Sequence, residues 1–238
     1  MQAKTQLTLE FEHRAALGYE DFLVTDANNK AVYCLDTWQQ WPGGMLLIIG
    51  PLGCGKSHLS AVFSQATGAK LISDQELDDS KGIDCASDFS VFENCDQGLT
   101  VNREEALLHL FNSVKEQNSR LLLTAKTPPS RWNIELKDLS SRMNTVTQIV
   151  IKEPDDALMT ALLVKLFADR QLKIDAPIIN YIIKRIERSF DAARTLVEYI
   201  DLKAMQSHRS LSVQFVGKMM RELHSSQSED DHGFGING

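Results

Sequence analysis

The segment Met45-Leu-Leu-Ile-Ile-Gly-Pro-Leu-Gly-Cys-Gly-Lys-Ser57 gives the strongest indication of the fold in this chain of 238 residues. Its first five residues form a continuous apolar run, which predicts a strand buried on both faces of a parallel sheet. A glycine-rich turn follows, and a helical pattern then runs from Lys56 to about Ala66. The sequence therefore predicts a strand, a tight turn and a helix in direct succession.

The turn in this stretch matches the pattern GxxxxGK[ST], which is typical of a phosphate-binding loop between a strand and a helix. Glycines let successive backbone N–H groups wrap around phosphate oxygens, and the helix N-terminus adds a favourable dipole. In such a loop Lys56 lies beside the β- and γ-phosphates, and the Ser57 hydroxyl binds Mg²⁺. A purely structural turn is the less favoured alternative, because both flanks match. The residues predicted to bind the nucleotide phosphates are Gly50, Pro51, Leu52, Gly53, Cys54, Gly55, Lys56 and Ser57.

Apolar runs elsewhere predict the rest of a parallel sheet. They occupy residues 70–73, 89–92, 120–124 and 146–151. Asn102, with Glu105 three residues later as its capping-box partner, predicts the start of the best-marked helix between them. Because strands alternate with helices, we expect a doubly wound α/β fold with a five-stranded parallel sheet flanked by helices.

After Pro154 the pattern becomes entirely helical, which predicts a small helical subdomain, or lid. Its helices are expected at residues 155–169, 177–188, 191–206 and 213–224. The whole chain is thereby divided into an exposed N-terminal tail (1–16), an α/β nucleotide-binding core (17–152), a helical lid (153–224) and a disordered polar tail (225–238).

The chain carries 25 basic and 32 acidic residues, a formal net charge of −7. Non-specific binding to DNA phosphates needs a cationic face, so we expect no binding of that kind. No apolar run approaches the length of a membrane span, and the N-terminus lacks the features of a secretory signal. We therefore expect a soluble, cytoplasmic protein without membrane contact.

Acidic residues that follow a neighbouring strand decide whether a phosphate loop binds or also hydrolyses its nucleotide. Here the third strand is followed by Glu93 and Asn94. Glu93 is a candidate ligand of Mg²⁺, or simply a polar strand end. Asn94 carries no negative charge and cannot act as a base, so binding is better supported than turnover.

Taken together, these features resemble the AAA+ family and, within it, the Hda regulators of the replication initiator DnaA. The resemblance extends from about Gln6 to Leu223. It rests on the phosphate loop and on four further segments, residues 6–11, 22–29, 121–129 and 136–143. It implies an AAA+ P-loop NTPase core with a C-terminal helical lid, an adenine nucleotide (ADP or ATP) and Mg²⁺. It is also compatible with a homo-oligomer.

The N-terminal segment Gln6-Leu-Thr-Leu-Glu-Phe11 resembles the peptide by which bacterial proteins dock on the DNA polymerase sliding clamp, its β subunit. An extended peptide offers Gln6 for hydrogen bonding and three apolar side chains, Leu7, Leu9 and Phe11, for a groove. The same alternation suits an edge strand. The polar surroundings and the resemblance favour docking on the clamp.

Arg142 matches the arginine finger of the family, a residue that reaches a nucleotide held by a neighbouring molecule. Taken alone, an arginine in Leu139-Ser-Ser-Arg-Met143 is typical of a solvated helix. The resemblance implies a catalytic role in trans, in which the chain stimulates hydrolysis of ATP bound to DnaA and thereby inactivates the initiator. We expect no specific DNA binding by the chain itself.

In the core, the chain departs from the family at the strand-end sensor. Lys126 stands where the family often has an acidic residue, and Thr124 is the candidate for the polar sensor. Phe22, Leu23 and Asn29 fall where the family surrounds the adenine ring, although burial as ordinary core is an equal alternative for the first two. These features fit a protein that holds its nucleotide as a structural ligand.

In the lid, Asp191 stands where an arginine should face the nucleotide phosphates. Arg188 and Arg194 lie about one helical turn to either side, and either could substitute for it. Arg194 is the predicted phosphate contact, with a surface ion pair as the alternative for both arginines.

Two other functions remain open at this stage. One is a self-contained P-loop ATPase or kinase, against which Asn94 argues. The other is a helicase loader, which shares the core fold but would bind a helicase instead of a clamp.

Overall fold

The computed structural model describes Val24 and residues 28–82, 85–207 and 211–230. These residues form two compact units, a core that ends at Glu153 and a lid that begins at Pro154. The predicted N-terminal tail lies outside the described residues. No helix in the described ranges is long and apolar enough to cross a membrane.

The core alternates helices and strands, whereas the lid has helices alone among its described residues. The core elements are α1 (Asn29–Asp36), β1 (Met45–Ile49), α2 (Lys56–Thr67), β2 (Lys70–Ile72), α3 (Asp74–Asp79), β3 (Phe89–Phe92), α4 (Val101–Glu116), β4 (Arg120–Ala125), α5 (Lys137–Thr145) and β5 (Thr147–Val150). The lid elements are α6 (Asp156–Asp169), α7 (Ala176–Ile183), α8 (Phe190–Ser207) and α9 (Val213–Asp230).

The five strands form one sheet in the order β2-β3-β4-β1-β5, and every neighbouring pair is parallel. The predicted five-stranded parallel sheet is therefore confirmed. β1 lies inside the sheet, where Met45 is opposite Leu121 of β4 and Leu46 is opposite Thr147 of β5. All five β1 side chains are buried, as expected for a strand covered by helices on both faces.

Alternate side chains of β1 enter two separate apolar clusters, one on each face of the sheet. Leu47 and Ile49 pack with residues of α4 and α5, whereas Leu46 and Ile48 pack with residues of α1 and α2. This alternation follows from the period of two in a strand. The two helical layers are thereby held against opposite faces of the same central strand.

The predicted capping box at the start of α4 is wrong. Thr100 is the N-cap, has extended backbone and accepts a hydrogen bond from the N–H of Arg103 through its hydroxyl. Asn102 and Glu105 both lie exposed within the helix. Since helix caps need extended backbone, Thr100 takes the role two residues earlier than predicted.

Several predicted boundaries also differ from the structure. The second strand ends at Ile72 because Ser73 is the N-cap of α3. This short helix lies in the acidic stretch, where the sequence pattern predicts no helix. Acidic residues in the first turn of α3 favour it through the helix dipole. In the lid, α7 ends at Ile183 rather than Arg188, and α9 continues to Asp230. Residues 225–230 are therefore helical rather than disordered.

Glu104 fixes α4 to the beginning of α5. Its side chain is buried, and its carboxylate accepts hydrogen bonds from the backbone N–H groups of Glu135 (3.0 and 3.1 Å) and Leu136 (2.8 Å). Leu136 is the N-cap of α5 and makes no side-chain cap of its own. A carboxylate from α4 therefore satisfies the donors that precede α5.

Substitution of Glu104 by Ala should destabilise the protein by roughly 1–3 kcal/mol, because the partly buried N–H groups before α5 lose their acceptor. Urea unfolding followed by circular dichroism measures the change. Glu105→Ala is the matched control, since Glu105 is exposed on the same helix, and it should have little effect. Equal stability of the two variants would contradict this role of Glu104.

Candidate nucleotide-binding site

The phosphate-binding loop occupies residues 50–55, between β1 and α2. Gly53 and Gly55 have φ values of 68° and 96°, in the left-handed region that favours glycine. Gly55 is the N-cap of α2 and provides no side-chain acceptor, so the first N–H groups of that helix are not capped by it. Such uncapped N–H groups can bind an anion.

Gly50 is required by the closeness of its neighbours. A Cβ atom there would lie 2.6 Å from the Cys54 sulfur and 2.9 Å from the carbonyl oxygen of Ile151. Both distances are too short for a real contact. The loop therefore folds back on the end of β1 only because this position has no side chain.

Lys56 directs its ammonium group into the loop. The residue is buried, and its Nζ donates hydrogen bonds to the carbonyl oxygens of Gly50 and Pro51, both at 2.8 Å. Both acceptors are neutral, so these bonds orient the ammonium without neutralising its charge. The cradle thus has the cation and the backbone donors that a phosphate chain requires.

Cys54 lies beside this lysine, with its sulfur 3.9 Å from Lys56 Nζ. Burial raises the pKa of the Cys54 thiol, and the nearby positive charge of Lys56 offsets only part of that rise. The neutral thiol is therefore the form present near pH 7, and it packs as an apolar side chain in the loop.

The residues predicted to hold Mg²⁺ lie together in the structure. The Ser57 hydroxyl donates to Oε2 of Glu93 at 3.3 Å, although β4 separates the strand before Glu93 from β1. Oε1 of Glu93 is buried and has no hydrogen-bond partner among the described residues. A hydroxyl and a carboxylate with a free oxygen are ligands of the kind that Mg²⁺ prefers, so this pair fits the ion.

The residues after Glu93 are held by their backbone to β4. The N–H of Asn94 donates to Oγ1 of Thr124 at 3.0 Å, and the N–H of Cys95 donates to the backbone carbonyl oxygen of Thr124 at 2.9 Å. Asn94 has a φ of 53°, which Asn tolerates better than most residues. The hydroxyl of Thr124, the predicted polar sensor, is thus an acceptor for the strand end beside Glu93.

Asp96 is a further acidic residue of this region, for which the sequence pattern predicts no role. Its Oδ2 accepts hydrogen bonds from the N–H groups of Lys126 and Thr127 and from the hydroxyl of Thr127, at 2.9–3.1 Å. The carboxylate therefore shapes the turn after β4. The Lys126 side chain, which replaces the acidic residue of the family, is exposed.

Arg142 lies on α5 at the other end of the sheet. It lines a groove of about 300 Å³ together with Met45, the first residue of β1, whereas the phosphate loop follows the last residue of that strand. A five-residue strand is roughly 15 Å long. The structure therefore does not bring Arg142 and the phosphate loop of the same chain together.

The guanidinium of Arg142 contacts two side chains. Nη1 donates to Oδ1 of Asn112 at 2.6 Å, and the Nε and Nη2 groups face the Asp138 carboxylate at 3.3 Å. Asp138 precedes Arg142 by four residues, a spacing that predicts such an ion pair on a helix. Asn112 is thirty residues away on α4, and no pattern in the sequence indicates its contact.

The lid arginines differ in their surroundings. Nη2 of Arg188 lies 2.9 Å from Oδ1 of Asp156 in an exposed ion pair. Arg188 thus makes the surface ion pair that was the alternative to a phosphate contact. Arg194 and Asp191 are both exposed on α8. The phosphate contact of Arg194 stays a prediction.

Several predicted site residues lie outside the described residues. They are Gln6, Leu7, Leu9 and Phe11 of the clamp-binding segment and Phe22 and Leu23 of the adenine contact. Asn29 is described and is exposed at the start of α1.

Comparisons with solved structures decide the fold. Domain III of the replication initiation protein DnaA from Thermotoga maritima superposes with a TM-score of 0.74 and 14% sequence identity, over 88% of this chain and 97% of that one. AMPPCP-bound DnaA from Aquifex aeolicus gives a TM-score of 0.69 and 14% identity, over 90% of this chain and 71% of the other. The fold is that of the AAA+ P-loop NTPases.

Sequence comparison relates this AAA+ core to the initiators. DnaA of Treponema denticola is 26% identical over 224 residues, which cover 79% of this chain and 46% of the relative. No model of a protein family matches the chain. The chain spans less than half the length of the curated DnaA proteins that it matches. The findings support a DnaA-related AAA+ domain.

Gly50→Ala should weaken binding of ADP at least about tenfold, because the added methyl group collides with the Cys54 sulfur and the Ile151 carbonyl and distorts the loop. Isothermal titration calorimetry measures the affinity. Gly68→Ala is the control, since a Cβ there meets no atom within 4 Å although its φ is +73°. It should cost about 1 kcal/mol of stability and leave ADP affinity unchanged. Normal ADP binding by the Gly50 variant would contradict the proposed cradle.

Proposed function

We propose that this protein regulates the initiation of chromosome replication. It binds an adenine nucleotide, docks on the DNA polymerase sliding clamp and stimulates hydrolysis of ATP bound to DnaA. The observation that carries the proposal is the separation of Arg142 from the phosphate loop of its own chain, on opposite ends of β1.

The nucleotide part of the proposal rests on the loop at residues 50–57. Lys56 and the uncapped N–H groups of α2 provide the positive end of a phosphate site, and similar solved proteins bind AMPPCP. Ser57 and Glu93 would hold Mg²⁺, which supplies charge compensation to the phosphates when it is bound. ADP and ATP both fit these donors.

Slow turnover of this chain's own nucleotide follows from the residues beside it. The amide of Asn94 has no basic oxygen that could take a proton from water. Oδ2 of Asp96 is engaged by two N–H groups and one hydroxyl of the turn after β4, and its Oδ1 is buried and has no partner among the described residues. Glu93 is the carboxylate that contacts Ser57 at the expected metal position, and in this proposal the nucleotide acts as a structural ligand.

The regulatory part of the proposal concerns Arg142. A guanidinium at the far end of the sheet from its own nucleotide can serve a triphosphate held by another molecule. Charge develops on the transferring phosphoryl group as water attacks the γ-phosphorus, and a planar cation placed there stabilises it. Similarity of the core to DnaA supports DnaA as the molecule that holds the triphosphate.

The clamp part of the proposal rests on the sequence of residues 6–11. Gln6 provides a hydrogen-bonding side chain, and the three alternating apolar residues provide anchors for a groove on the ring. Docking on a ring that encircles DNA would raise the local concentration of the regulator where replication has begun.

Arg142→Ala should lower the stimulated rate of DnaA-bound ATP hydrolysis by at least about a hundredfold, since arginine fingers contribute roughly 10³–10⁵ to the rate. The assay follows radiolabelled ATP on DnaA in the presence of the purified protein and DNA-loaded clamp. ADP binding and clamp binding by the variant should stay normal.

Two further variants sharpen this test. Arg131→Ala removes an exposed arginine of the same unit, just before α5, and should leave stimulation unchanged. Arg142→Lys keeps the charge but loses the planar fork, and should recover only a small part of the rate. Full stimulation by the Arg142→Ala protein, or multiple turnover of ATP by this chain without DnaA, would exclude the proposed regulator.

Simultaneous replacement of Leu7 and Phe11 by Ala should abolish retention of the protein on immobilised clamp, because both apolar anchors are lost. The matched control replaces Thr8 and Glu10, which alternate with the anchors in the same segment. Surface plasmon resonance measures both. Equal loss in the two double variants would refute recognition through the apolar alternation.

A further inference from the structure

We propose that Asn112 is a positioning residue that holds the guanidinium of Arg142 ready for a triphosphate in trans. The inference rests on the proposed function of Arg142 as an arginine finger. It adds a residue from a different helix, α4, to the machinery carried by α5.

The two contacts of the guanidinium differ in strength and in consequence. The Nη1–Oδ1 distance to Asn112 is 2.6 Å, and both side chains are partly buried. Asp138 lies at 3.3 Å, and 61% of its side chain is exposed. Exposed ion pairs of this spacing stabilise a helix by only about 0.3–0.5 kcal/mol. Asn112 is therefore the contact that fixes the direction of the side chain.

A neutral acceptor suits a finger better than a carboxylate does. An amide oxygen orients one N–H of the guanidinium but leaves the full positive charge, whereas a carboxylate would compete with the phosphate for it. A guanidinium has five N–H donors, so the bond to Asn112 leaves others for phosphate oxygens. Asp138, which is solvated, can be displaced by a triphosphate at small cost.

The helix that carries Asn112 is itself fixed to the helix that carries the finger. Glu104 binds the N–H groups before α5, and Asn112 lies about two turns further along α4. Buried side chains of both helices, including Leu110 and Leu139, belong to one apolar cluster. The side chain of Arg142 is thus oriented from a rigid support before any partner is present.

Asn112→Ala should lower the stimulated rate of DnaA-bound ATP hydrolysis by about ten- to a hundredfold, because a misplaced catalytic group loses a rate factor of this order. The concentration of the protein that gives half-maximal stimulation should stay within about twofold of normal. Asn102→Ala is the matched control, since Asn102 is exposed on the same helix, and should behave like the unaltered protein. Asp138→Asn should change the rate less than about threefold.

A second readout needs neither DnaA nor the clamp. Phenylglyoxal modifies free guanidinium groups, and mass spectrometry gives the rate at Arg142. Asn112→Ala should raise that rate at least about threefold, whereas Asn112→Asp, which keeps an acceptor oxygen, should hold it near normal. Urea unfolding of each variant verifies that the fold is retained. If the Asn112→Ala protein is unstable, the rate of Arg142 modification is measured in the Asn112→Asp protein instead.

The outcomes separate this inference from the proposed function. An unchanged modification rate in the Asn112→Ala protein overturns the positioning role, as does normal stimulation by that variant when Arg142→Ala is inactive. Normal stimulation by Arg142→Ala instead overturns the proposed function, and the positioning role with it. Three results together support the inference. The Asn112→Ala protein stimulates ATP hydrolysis more slowly, and its Arg142 is modified faster. The double variant Asn112→Ala, Arg142→Ala loses no more stimulation than Arg142→Ala alone.

Discussion

β1 forms backbone hydrogen bonds with β4 on one side and with β5 on the other. Its five side chains are buried under helices on both faces of the sheet. Such a strand cannot shift by one residue without exchanging the two sets of side chains that fill the clusters above and below it. Its carboxyl end is therefore fixed where the phosphate loop begins. Its amino end is fixed beside the groove that Arg142 lines. The distance between the phosphate loop and Arg142 is therefore set by this one strand.

At each end of the core, a cationic side chain donates a short hydrogen bond to a neutral acceptor. Lys56 donates to two carbonyl oxygens, and Arg142 makes its shortest contact to an amide oxygen. In both cases a neutral acceptor orients a cation without cancelling its charge. Phosphate recognition favours a cation that is already oriented, because the anion then meets a group that needs little reorganisation. At Arg142 the exposed Asp138 carboxylate also contacts the guanidinium, at 3.3 Å.

Acidic side chains near the site serve mainly as structural acceptors. Asp96 shapes the turn after β4, and Glu104 joins α4 to the residues before α5. Glu93 differs, because its carboxylate contacts the Ser57 hydroxyl beside the phosphate loop. This distribution supports the proposal that the core binds a nucleotide with little turnover. In the proposed function, the catalytic group is Arg142, which lies on a helix that can meet another molecule.

Sequence pattern alone was enough to predict the parallel sheet and the strand, turn and helix around the phosphate loop, because each depends on spacing along a strand, a turn or a helix. It misplaced the start of α4, since Thr100 and Asn102 are both good caps and only the backbone of the folded chain selects one. It gave no indication of Asn112 or Glu104, whose partners are about thirty residues away. Those contacts exist because the sheet brings α4 and α5 together on one face, and that arrangement is decided by tertiary packing rather than by local pattern.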